Sequence, residues 1–124
     1  MAKKKSELLA DALVEMLQDS SDIDGIAIVG TDGLVYSANV PQRQLDENMV
    51  GASSAAIFGL SRRSVGQLKR GNFSQTLIQG DDGNIIVSSL NDETLLVGLT
   101  PKSINLGMAF AEMRDITSRL REIL

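Results

Sequence analysis

Residues 46–70, DENMVGASSAAIFGLSRRSVGQLKR, contain no proline, and this constrains the chain more than any other feature. So long a run without a breaker reads as one helix. On a wheel of about 3.6 residues per turn, Met49, Val50, Ile57, Leu60 and Leu68 form one stripe. The opposite side carries Ala52, Ala55, Gly59 and Gly66, with Phe58 and Arg62 beside them. A glycine costs a helix interior roughly 1 kcal/mol relative to alanine, so two on one side want a reason. Close approach of another backbone supplies one. The expectation is a two-sided helix, its apolar stripe on its own sheet and its small-residue side against a partner. The plainer alternative is that the glycines tolerate a bend or face solvent.

A chain of 124 residues has the size of one domain with one core. Apolar content of 43% and charged content of 23% are ordinary globular values, which excludes a disordered chain. No apolar run approaches the roughly 18 residues of a membrane span, and no signal-peptide pattern is present, so a cytoplasmic protein without stable membrane insertion is expected. The absence of cysteine removes disulfides, thiolate nucleophiles and thiolate metal sites. The absence of histidine removes the commonest general base and metal ligand. A net charge of −4 and 3% aromatic residues argue against a nucleic-acid binder, which needs a basic surface or stacking platforms. These absences weigh against an enzyme, and no cofactor is expected.

Residues 1–5, MAKKK, read as a solvated basic tail, leaving 6–124 as the single domain. Ser6 is a candidate N-cap with Glu7 in the first turn, followed by Leu8, Leu9, Ala12, Leu13, Met16 and Leu17 at helical spacing to about Asp19. After a polar turn over 20–25, Ile26-Ala27-Ile28-Val29 is apolar throughout, as in a strand covered on both faces. Thr31-Asp32-Gly33 is a hairpin signal, and Leu34-Val35-Tyr36-Ser37 returns as a second strand ended by Val40-Pro41-Gln42. Asp46 can cap the long helix.

Beyond Gly71 the period becomes two: Phe73, Gln75 and Leu77 alternate with Ser74, Thr76 and Ile78, a half-polar strand suited to a sheet edge. A turn at Gly80-Asp81-Asp82-Gly83 precedes a fourth strand, Ile85 to Leu90. The turn Asn91-Asp92-Glu93 precedes a fifth, Thr94 to Leu99, stopped by Pro101. Ser103 or Asn105 opens a last helix with Leu106, Ala109, Phe110, Met113, Ile116, Leu120 and Leu124 on its apolar side. The fold class is therefore α+β, one five-stranded antiparallel sheet with helices on both faces in the order α-β-β-α-β-β-β-α.

Motifs with chemical meaning fail on inspection. Gly25-x-x-x-x-Gly30-Thr31 has phosphate-loop glycine spacing but no lysine, and it runs along a strand. Asp22, Asp24, Asp32, Asp81 and Asp82 are turn residues without the calcium-loop spacing. Ser53, Ser54, Ser61 and Ser64 have no base with which to act as nucleophiles. Arg62, Arg63, Lys69 and Arg70 form a basic cluster near the helix C-terminus. It serves either the helix dipole and solubility, or docking of an acidic partner surface.

The segment from Ile26 to Leu34 with Gly30, Asp32 and Gly33, the turn Gly80-Asp81-Asp82-Gly83 before Ile85-Ile86-Val87, and the closing Asn105-Leu106-Gly107-Met108-Ala109 together resemble a Roadblock/dynein light-chain domain. The likeness covers almost the whole chain and leans towards the compact prokaryotic members. The resemblance implies a Roadblock/longin/profilin-like fold and a non-enzymatic homodimer. Its long helices would pack antiparallel and its third strands pair edge to edge. It places Ala52, Ala55, Phe58, Gly59, Arg62, Gly66, Phe73, Gln75 and Leu77 at the dimer interface. It also implies a Ras-like small GTPase as partner, scaffolded or assisted in hydrolysis; their place on the long helix makes Arg62, Arg63, Lys69 and Arg70 the candidate contacts. No catalytic residue is carried over. The competing expectation is a PAS-like or profilin-like small-molecule sensor, which would need a cavity between sheet and helix. An aliphatic core without His or Trp favours a filled interior instead.

Overall fold

The computed structural model describes residues 4–20, 22–41 and 45–124. Met1, Ala2 and Lys3 of the basic tail, Ser21 of the first turn and Gln42 after the second strand lie outside the described residues. The elements are α1 (Lys5–Asp19), β1 (Gly25–Gly30), β2 (Val35–Asn39), α2 (Glu47–Gln67), β3 (Gln75–Gln79), β4 (Gly83–Ser89), β5 (Thr94–Pro101) and α3 (Leu106–Ile123). All pairings are antiparallel, in the spatial order β2-β1-β5-β4-β3. This is the α-β-β-α-β-β-β-α architecture read from the sequence, with β3 at an edge.

The central position of β1 explains its unbroken apolar run. It is hydrogen-bonded on both sides and buried along its whole length. Alternation sends Ile26 and Ile28 to one face, where they join Leu9 and Leu13 of α1, Ile86 and Leu96 of the sheet, and Met113 and Leu120 of α3. Ala27 and Val29 point the other way, with Val97, towards Val50 of α2. Each fully buried aliphatic side chain contributes about 1.5–3 kcal/mol, so the α1/α3 face holds most of the core. Ser20 clamps the two helices there. Its hydroxyl donates to the Glu112 carboxylate and accepts from the Ile23 amide at 2.9 Å.

Local chemistry sets the boundaries. Gly33 takes φ +93° in the β1–β2 turn, where Gly30 N donates to Leu34 O at 2.7 Å and Asp32 Oδ1 accepts from Leu34 N. Asp46 caps α2 by accepting from Asn48 N at 2.9 Å, as expected, and Asn105 rather than Ser103 caps α3 by accepting from Met108 N. Asn91 Oδ1 accepts from Glu93 N, Thr94 N and Thr94 Oγ1, which closes the β4–β5 turn.

Four expectations need correction. Helix α1 opens at Lys5 with Lys4 as an N-cap that makes no side-chain bond, so Ser6 lies inside the first turn. The ladder starts two residues early because Leu8 N reaches Lys4 O at 3.0 Å. Leu8 is exposed, since the buried line Leu9, Leu13, Met16 turns the neighbouring position outward. Helix α2 ends at Gln67 instead of running to residue 70. β3 begins at Gln75, because Phe73 is turned onto the ring of Phe58. Among the described residues no helix is long and apolar enough to cross a membrane.

Candidate interaction surface on the long helix

Helix α2 lies on the sheet by a line recurring every three or four residues: Gly51, Ser54, Phe58, Ser61, Val65. Gly51 and Ser54 are its buried members. A Cβ on Gly51 would strike the Gly33 carbonyl oxygen and stand 2.8 Å from a Val35 methyl, so only glycine lets the helix rest on the β1–β2 hairpin. At the other end of the sheet Thr76 Oγ1 donates to Ser61 Oγ at 2.7 Å. Phe58 meets Phe73 edge to face, with ring centroids 5.3 Å apart and planes at 83°, a favoured aromatic geometry.

The apolar stripe assigned to the sheet therefore does something else. Met49, Leu60 and Leu68 are 66%, 67% and 68% exposed, and of that stripe Val50 packs onto the sheet while Ile57 is half-buried. Small residues face inward because they bring the helix axis close to the strands. The larger ones are turned to the flank. This is a correction to the wheel, which gave the sheet the largest side chains.

Two flanks result. The first is a shallow depression where Ala55, Phe58, Gly59, Arg62, Arg63 and Gly66 meet Thr31 of the hairpin turn. A Cβ on Gly59 or Gly66 would meet nothing within 4 Å. Beside it, Arg62 and Phe73 share a further depression with Asn91 and Asp92 of the β4–β5 turn. The second flank is an open groove of about 480 Å³, with Ile85, Val97 and Leu99 as its floor and Met49, Val50 and Ile57 as its wall. Asp46 and Asp82 stand on its rim, with Asp24.

Comparison with known proteins places this arrangement. A sequence model of the Roadblock/LC7 domain matches residues 9–100. The chain belongs to the Roadblock/LC7 domain family. Protein MJ0310 of Methanocaldococcus jannaschii is 30% identical over 113 residues, covering 91% of this chain and 97% of that protein. MglB of Myxococcus xanthus superposes with a TM-score of 0.87 at 12% identity, over 99% of this chain and 92% of that one. A Roadblock/LC7 domain from Streptomyces avermitilis gives 0.82 at 18% identity, over 91% and 94%.

On this Roadblock/LC7 fold the residues singled out by sequence divide into three groups. Ala52, Gly59, Arg62 and Gly66 are exposed and Ala55 and Phe58 half-buried, all on or beside the first flank. Gln75 and Leu77 belong to the opposite face of the sheet. They pair with Ser88 and Ile86, and Leu77 packs against the α1/α3 core. Arg63, Lys69 and Arg70 are exposed, and among the described residues none of the four basic side chains makes an ion pair.

The wheel passed over Gly51, Ser54 and Ser61, although their three-and-four spacing was a readable signal. Sequence reading also missed Lys69 as a backbone feature. Arg70 N donates to Val65 O at 2.7 Å and Lys69 N to Gly66 O at 3.2 Å, the paired bonds of a Schellman end. That end needs a left-handed residue, usually glycine, and here Lys69 takes it with φ 56°. A lysine in this conformation costs about 1–2 kcal/mol.

Proposed function

We propose that this Roadblock/LC7 domain is a non-enzymatic interaction module that works in the cytoplasm as a homodimer and docks a Ras-like small GTPase, as a scaffold or as a helper of hydrolysis. The observation that carries the reading is the free side of α2 beside the free edge of β3. A buried element rarely leaves Met49, Leu60 and Leu68 in water, and exposed apolar side chains grouped on one helix mark an interaction site. The edge strand Gln75–Gln79 presents unpaired backbone groups without a charge or proline to blunt it. Pairing through both elements would continue the sheet across two chains.

The basic residues Arg62 and Arg63, with Lys69 and Arg70, suit a carboxylate-rich partner surface. Guanidinium groups on a rigid helix are well placed for bidentate contacts. Two measurements test the reading. Sedimentation of the purified chain should give twice the protomer mass. Titration with a small GTPase from the same cell, loaded with GDP or with a GTP analogue, should give binding that Arg62→Ala and Arg63→Ala weaken. A monomer that binds no such GTPase in either state refutes it.

One observation favours a second reading, a small-molecule sensor: the groove under Met49 and Ile57 is apolar with a polar rim, as ligand sites are. It is open along its length, however, and of the buried polar residues that line it Asn84 and Thr100 are hydrogen-bonded to each other, which leaves Ser54 to orient a ligand. A second protein chain fits that shape better.

A further inference from the structure

Helix α2 covers only part of the sheet face on which it rests. Ile85 of β4 and Leu99 of β5 stay half-buried there, although both strands lie inside the sheet. With Val97 they floor the groove that Met49, Val50 and Ile57 wall. Among the described residues none of its lining comes from β3, so the groove is separate from the free edge of the sheet. Its wall from Asp46 to Ile57 advances about 16 Å along the helix, the reach of about five extended residues.

Two polar features indicate what such a groove can hold. Ser54 lines it and is only 2% exposed, yet among the described residues its hydroxyl makes no hydrogen bond. A buried hydroxyl ordinarily has a partner, so a polar group lying in the groove would satisfy it. The rim carries Asp46 and Asp82, both exposed, and among the described residues no basic side chain lines the groove. Asp82 also makes no ion pair or side-chain hydrogen bond there.

We propose that the groove beside Met49 and Ile57 binds a short extended segment of another protein, apolar in its middle and basic at its ends. Its apolar side chains would lie on the Ile85, Val97 and Leu99 floor, and a backbone group would meet the Ser54 hydroxyl. Its lysines or arginines would meet Asp46 and Asp82, as charge complementarity requires. A peptide suits a groove open along its length, because it carries a backbone polar group beside every side chain. The segment adds no strand, since β4 and β5 already have neighbours on both sides, so side chains would decide which peptide binds. This inference goes beyond the homodimer and GTPase reading. The flank with Arg62 and Arg63 calls for an acidic surface and the groove calls for a basic one, so a single helix serves two different partners.

Fluorescence anisotropy tests this on the full-length chain, with a labelled, end-blocked Lys-Leu-Val-Leu-Lys peptide as probe. Glutamate in place of both lysines should weaken binding about tenfold or more, and serine in place of the three apolar residues should abolish it. Asp82→Lys should weaken binding about fivefold. Ser54→Ala should weaken it about fivefold and leave the melting temperature no lower, because the hydroxyl has no partner to lose. A Ser54→Ala chain that melts earlier and binds the peptide as before assigns the hydroxyl to the fold and overturns the proposal. So does a probe that fails to bind, or one that binds equally well with its charges reversed. If decylamine, a cationic apolar tail without a backbone, binds as tightly, the occupant is a small amphiphile and the peptide assignment falls. If Asp82→Lys and Ser54→Ala weaken self-association in sedimentation but not peptide binding, the occupant is a second copy; the proposal then falls while the homodimer stands.

Discussion

Thr76 on the edge strand and Ser61 on the long helix share a hydrogen bond of 2.7 Å between their hydroxyls. It ties the last third of α2 to the edge strand of the sheet. Ser61→Ala leaves the half-buried Thr76 hydroxyl without its acceptor and should cost about 1 kcal/mol in urea unfolding. An unchanged midpoint would show that the tie is replaced by water.

Three glycines of α2 should respond to alanine in opposite directions. At Gly51 the new methyl meets the Gly33 carbonyl, and backbone on both sides leaves little room to yield. A loss of about 2 kcal/mol is expected even after the gain in helix propensity. Gly59→Ala and Gly66→Ala meet nothing and should stabilise the protomer by up to about 1 kcal/mol each. Thermal unfolding of the three variants at one protein concentration checks the contrast.

Replacing the left-handed lysine separates stability from association. Lys69→Gly relieves the φ of 56° and should raise the melting temperature by about 4 °C, the equivalent of about 1 kcal/mol at this chain length. The same variant lacks the charge at the helix end and should pair no better than wild type. Calorimetry and sedimentation on the same sample give both readings.

Association with an acidic partner should depend on Arg62 and Arg63 through its rate. Both are exposed, and charges at an exposed rim steer encounters more than they hold complexes. If a small GTPase docks as proposed, charge reversal at either position should slow its association about threefold to tenfold at low salt. The difference should shrink towards 0.5 M salt as screening removes the field. Stopped-flow mixing at several salt concentrations resolves it.

Much of this was legible in the sequence because the signals were local. Ile26 to Val29 reads as a doubly covered strand and becomes the middle of the sheet. Thr31-Asp32-Gly33 reads as a turn and is one, and Asp46 reads as a cap and accepts the bond a cap accepts. The half-polar strand after Gly71 reads as an edge and is one. What failed was the assignment of sides on α2. The wheel gives each residue an angle but no origin, and the origin was set by assuming that the largest apolar side chains face the sheet. Close contact set it instead: Gly51 fits where Gly33 leaves no space, and Leu60 is turned away as a result. Leu77 shows the same limit in a strand. Period two told which residues share a face, and only the register with Ile86 told that the face belongs to α1 and α3.

The bare flank of β3 has a bearing on how this protein behaves in the test tube. The sequence Gln75-Thr76-Leu77-Ile78-Gln79 offers a template on which stray strands can grow, and a mate that caps it would be a protective lid. A variant that cannot pair would lack that lid, so at equal concentration its stocks should turn cloudy sooner than those of the wild type.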